Sequence, residues 1–121
     1  SFTVTVSRSA GPVCYYPTSD LPDFGAMTGV SPDEVSYYED SDFVFLYYDA
    51  VDLSDAGYTS AQSLRSAYAM LLKDAGYSYA SYNEENNLRL WMYGDGYGNY
   101  VGYSEQYDKD GYCSTIIIAL P

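Results

Sequence analysis

Histidine is absent from the 121 residues. That removes the commonest general base and the commonest metal ligand together. Basic residues are nearly absent too: five Lys and Arg stand against seventeen Asp and Glu, for a formal net charge of −12. Binding a polyanion requires Lys and Arg to displace its counterions, so nucleic acid and anionic membrane surfaces are poor partners. No apolar run approaches the roughly 18 residues of a membrane-spanning helix, which argues against membrane insertion. The chain opens on Ser1, with neither the basic nor the apolar region of a signal peptide, and reads as a mature or excised piece.

Cysteine is scarce. Cys14 and Cys113 lie near opposite ends and admit two readings. A bridge would close a loop of about 100 residues, worth roughly 4–5 kcal/mol in the chain-entropy account. The other reading is two buried free thiols. Tyrosine, by contrast, is abundant, with seventeen copies. At that density it favours strands and half-buried faces. With 47% apolar and 18% charged residues, the chain is one globular domain covering 1–121.

Acidic residues are unevenly placed. Between Arg8 and Arg65 there is no basic residue, and eight carboxylates fall between Asp33 and Asp55. This span is either a solvated surface or a place that meets a cation or a basic partner. Around it a tyrosine pair followed by an aspartate and an apolar residue recurs, at Tyr15-Tyr16…Asp20-Leu21, Tyr37-Tyr38…Asp42-Phe43 and Tyr47-Tyr48…Asp52-Leu53. The spacings are unequal, so these are not stacked repeats. They read as strand boundaries, with tyrosines at a sheet rim and aspartates opening turns.

Periodicity gives the architecture. SFTVTVSR alternates Phe2, Val4 and Val6 against Thr3, Thr5 and Ser7, as a half-buried strand does. Residues 10–34 hold four prolines and three glycines, so regular structure is scarce there, apart from a short helical turn at Asp23–Met27. Phe43–Tyr48 reads as a strand buried on both faces, and AVDLSDAGY after it as a loop. In TSAQSLRSAYAMLLKDAG, Thr59 and Gln62 have capping-box spacing, and Ala61, Leu64, Tyr68, Leu71, Leu72 and Ala75 form one apolar stripe. Gly76 is the expected left-handed cap. The tetrapeptide DAGY occurs at 55–58 as well as 74–77, and its first copy reads as coincidence.

Four period-two segments follow: YSYASYN, NLRLWMY, YVGYSEQY and YCSTIIIAL. Turn-rich separators join them as hairpins. The isoleucine run marks the last strand as central. The expected fold class is therefore α+β: a strand, one main helix packed on an antiparallel sheet, then a four-stranded meander, with an irregular Pro-rich N-terminal segment. Phe43–Tyr48 should belong to the same sheet.

Three places have the composition of a site. YDKDGY (107–112) is similar to the start of a calcium loop, but counting twelve from Asp108 reaches Ala119 inside a strand, so an EF-hand fails and a hairpin turn remains. GDGYGNY (94–100) has no following helix or nearby lysine to make a phosphate cradle. The third is a sheet face. Taking the face of Leu88, Leu90 and Met92 as the one the helix covers leaves Arg89, Trp91 and Tyr93 on the other, with either Val101, Tyr103, Glu105 and Tyr107 or their alternates along that strand. Trp91, Tyr93, Tyr103 and Arg89 are the candidate binding residues, either for sugar rings or for a protein surface. Alternatively the stretch CYYPTSDLPDFGAM folds over that face and buries it. No catalytic residues, metal site or cofactor are expected. A carboxylate pair is the one catalytic route left, and nothing selects a pair among seventeen.

YYPTSDLPDFGAMTGV and SLRSAYAMLLKDAGY…NEENNLRLW resemble secreted or lipoprotein-borne modules of Gram-positive gut bacteria. The helix-plus-meander plan is similar to the repeated module of β-lactamase inhibitor proteins. The resemblances imply an extracellular or cell-surface location. The expected function is a non-enzymatic binding or interaction module. The alternatives are a glycan-binding module and a small acidic protein inhibitor. A tyrosine-rich edge strand offers a route to pairing with another copy.

Overall fold

The computed structural model describes residues 2–5, 23–37, 41 and 43–121. Its strands are β1 (Phe2–Thr5), β2 (Glu34–Tyr37), β3 (Val44–Asp49), β4 (Ser78–Glu85), β5 (Leu88–Gly94), β6 (Tyr100–Tyr107) and β7 (Cys113–Leu120). Its helices are α1 (Phe24–Thr28), α2 (Ala50–Asp55) and α3 (Ala61–Asp74). The fold is α+β, and every strand pairing is antiparallel. Spatial order is β1-β2-β3-β7-β6-β5-β4. The expected meander is present, and the isoleucine-rich β7 is central. β3 pairs with it, Leu46 opposite Ile118. Expectations for residues 6–22, including Cys14 and the first tyrosine pair, lie outside the described residues.

The chain leaves β3 near the middle of the sheet and re-enters at β4, the far edge. The helices make that crossing. Leu64, Tyr68 and Leu72 of α3 are buried, as the stripe requires, each contributing about 1.5–3 kcal/mol. Leu71 lies at the margin, 37% exposed. Facing α3 are Leu46, Tyr48, Val101, Tyr103, Ile116, Ile118 and Leu120, all buried. At the centre Phe24 from α1 is fully buried, its ring centroid 4.8 Å from Tyr48, 5.4 Å from Tyr68 and 6.3 Å from Tyr103.

Several expectations change. AVDLSD is a helix rather than a loop, because the Asp49 carboxylate accepts from Val51 N and caps it. Ser60, not Thr59, caps α3, accepting from Ser63 N at 3.3 Å. β2 begins at the last residue of the proline-rich stretch, where periodicity assigns no strand. In β3 the burial is one-sided: Leu46 and Tyr48 are buried while Phe45 and Tyr47 are intermediate. Tyr48 is thus core, not rim.

Both copies of DAGY do the same job. Tyr58 N donates to Leu53 O and Tyr77 N donates to Leu72 O, each at 2.8 Å, across Gly57 (φ 101°) and Gly76 (φ 93°). Two helices therefore end on one sequence-coded left-handed stop.

Candidate functional site

The helix-covered face is the one carrying Arg89, Trp91 and Tyr93, opposite to expectation. The apolar weight of a face is the sum over all its strands. Leu88, Leu90 and Met92 share theirs with Gln106, Ser104 and Gly102, whereas Trp91 and Tyr93 share theirs with Tyr103 and Val101. Tyr103 and Tyr93 are accordingly buried, at 1% and 7% exposure. Phe24, from the stretch proposed to fold over this face, packs on it too.

Beneath α3 sits a fully buried carboxylate, Glu105. Arg65 Nη1 donates to both its oxygens at 3.0 Å. Tyr103 OH donates to Oε2 at 2.9 Å and Tyr107 OH to Oε1 at 2.6 Å. An inward-pointing acid on a sheet face is tolerated only when its charge and lone pairs are met in this way. The tyrosine protons are held in turn. Burial, then its bond to Glu105, pushes the Tyr107 hydroxyl up to about 12. Burial and the Glu105 charge raise that of Tyr103 further. The knot contains no free base.

The knot continues outward as a shelf. Arg65 lies over the Trp91 ring at 4.4 Å, and Tyr82 packs against Trp91 at 4.9 Å. Arg89 lies over the Tyr107 ring, also at 4.4 Å, and pairs with Glu84 at 3.4 Å. β4 is an edge strand, and all eight of its residues are exposed, Tyr79 at 61% and Tyr82 at 42%. Of the four candidate residues, Trp91 and Arg89 thus belong to the half-buried shelf, while Tyr93 and Tyr103 belong to the core behind it. Glu105, Arg65 and Tyr82 complete the arrangement.

Compared with protein-family models, curated proteins and solved structures, the chain matches none. Its site must be read from its own geometry.

On the other side of Tyr107 lies a cleft of about 470 Å³, between α2, the turn into α3 and the β6–β7 hairpin. Leu53, Leu64 and Ile116 form its apolar floor, and the exposed Val51 and Tyr112 stand at its lips. Cys113 lines it as a half-buried thiol, while Cys14, and with it the choice between a bridge and two thiols, lies outside the described residues. Burial, followed by the charge of Glu105, raises that thiol to about 11 and keeps it protonated.

In the acidic span, carboxylate oxygens of Asp33, Asp49 and Asp52 lie within 4.8 Å of one another. Two have structural work: Asp33 accepts from Asp49 N, and Asp49 caps α2. Asp108 accepts from Asp110 N and Tyr112 N, closing the hairpin expected at DKDG. Among the described residues, no helix is long and apolar enough to cross a membrane.

Proposed function

We propose that this domain is a non-enzymatic protein-binding module whose contact surface is the shelf of Tyr79, Tyr82, Trp91 and Arg89 with the adjoining edge strand β4. One observation carries the reading: tyrosine, tryptophan and arginine, the residue types that dominate protein hot spots, meet beside a strand exposed along its whole length. An extended segment of a partner adds to such an edge by main-chain hydrogen bonds and reads the shelf with its side chains. An extracellular or cell-surface location belongs to the same proposal and rests on the acidic, lysine-poor, tyrosine-rich composition.

A glycan-binding face is the second reading, favoured by the exposed rings of Tyr79 and Tyr82. It ranks lower because Arg65 and Tyr82 already pack on Trp91, the ring best suited to a sugar.

Peptides selected by display on the intact domain test the proposal, with affinities then measured on Tyr82→Ala and Arg89→Ala. At least a tenfold loss on either variant is expected for a hot-spot residue. Selected peptides indifferent to both substitutions overturn the protein-binding reading. Glycan-array binding that vanishes in Tyr82→Ala, with no peptide selected, replaces it with the second.

A further inference from the structure

The cleft beyond Tyr107 has a chemistry of its own. Its volume falls in the range of small-ligand sites. Among the described residues that line it there is one charged side chain, Asp55, and no basic one. Three tyrosines, Tyr58, Tyr107 and Tyr112, also line it. The hydroxyls of Tyr58 and Tyr107 are spent elsewhere, donating to Met27 O at 3.1 Å and to Glu105 Oε1. With the Tyr107 ring already under Arg89, the cleft keeps the ring surfaces of Tyr58 and Tyr112. Aromatic rings attract cations through their quadrupole, and a carboxylate at the rim adds charge. The molecule uses this pairing twice already, with Arg65 over Trp91 and Arg89 over Tyr107. A chain of net charge −12 further concentrates cations near its surface. The floor of Leu53, Leu64 and Ile116 requires the ligand to bring an apolar body as well.

We propose that the cleft between α2 and the β6–β7 hairpin binds an alkyl- or arylammonium ion, its apolar body on Leu53, Leu64 and Ile116 and its cationic head between Asp55 and the tyrosine rings. Anions of the same shape are rejected, because the described lining supplies no positive charge and one negative. The same chemistry arrives either as a free amine or as a lysine side chain of a protein. This site stands apart from the shelf and does not rest on it.

The test is a titration of the intact domain, followed by amide shifts in two-dimensional NMR, with three probes. These are 2-phenylethylammonium for a free amine, a capped tripeptide with a central lysine for a side chain, and 3-phenylpropionate as the anionic match. Binding by either cation, with shifts confined to residues 53–59 and 111–116, is the expected result, and the tighter of the two identifies the source. Asp55→Asn should weaken the cation about fivefold, as a partly exposed charge pair of about 1 kcal/mol does. Tyr112→Ala should weaken it by a similar factor; Tyr112 is 73% exposed, so its loss spares the fold. Tyr82→Ala, on the shelf, should leave it unchanged. The proposal is overturned if neither cation shifts these amides at 10 mM, if phenylpropionate binds as well, or if Tyr82→Ala abolishes binding that Asp55→Asn leaves intact.

Discussion

Replacing Arg65 by Met keeps an unbranched apolar stem and removes the charged guanidinium. In the folded protein this strands Glu105, which is fully buried and receives both Arg65 contacts at 3.0 Å. Tyr103 and Tyr107 still donate, so two of the four hydrogen bonds survive. An uncompensated buried charge of this kind costs about 3–5 kcal/mol. Loss of the guanidinium over Trp91 adds roughly 0.5–1 kcal/mol. For a 121-residue domain each kcal/mol lowers Tm by roughly 4 °C, so the variant should melt roughly 14–24 °C below the parent. Against a total stability of about 5–15 kcal/mol, that is a large part of the whole. Thermal unfolding followed by circular dichroism measures it. The decisive control is Arg65→Met with Glu105→Gln, which removes the stranded charge and should recover most of the loss. A single variant melting within a few degrees of the parent, or a double variant no better than the single, refutes the claim that the pair is held by mutual need.

Four further outcomes follow from the same geometry. Gly57→Ala and Gly76→Ala should each cost about 1–2 kcal/mol in urea unfolding, because both sites are left-handed, and a silent result at either breaks the equivalence of the two DAGY stops. Phe24→Ala should cost about 3–5 kcal/mol, since three aromatic rings lose their common partner; a loss under 1 kcal/mol would remove α1 from the core. Stability should fall from about pH 10 upward: the Tyr107 proton is held until about pH 12 when folded but leaves near 10 when unfolded, so the unfolded state binds fewer protons across that window. Stability flat to pH 12 contradicts this. In a Cys14→Ser background, Cys113 should react with iodoacetamide at pH 8 roughly a hundredfold more slowly than an unfolded thiol, since a group at about 11 is some hundredfold less ionised there than one at 9. Equal rates would show it to be exposed and ionised.

The meander and α3 were legible because each repeats its period over several turns or pairs. α2 was not: its six residues are too few to display a helical stripe, and its cap, Asp49, is one aspartate among many. The helix-covered face was misassigned because β5 alone is ambiguous, with apolar residues on both sides. Adding β6 resolves it, since Gly102 and Ser104 are too small to build a core face and Val101 and Tyr103 are not. The Arg65–Glu105 pair joins residues forty apart, and no local pattern reports it. A signal existed nonetheless. Glu105 shares the face of Val101 and Tyr103, and an acid pointing into a core demands a cation from the element packed above it. The shelf was half legible: Trp91 and Arg89 stood out by type, whereas the role of Tyr82 follows from β4 lying at the sheet edge.

The position of β7 carries a further consequence, for the time course of folding. Among the described residues β7 alone joins β1–β2–β3 to β6–β5–β4, yet it follows all of them in the sequence. During synthesis the hairpins β4–β5 and β5–β6 can form from local contacts, while β3 waits for a partner made some seventy residues later. Until β7 emerges, β3 and β6 are both open edges, and they expose Leu46, Tyr48, Val101 and Tyr103, which the finished protein buries completely. The half-made chain is therefore far stickier than the finished one, and completing one strand seals both edges at once.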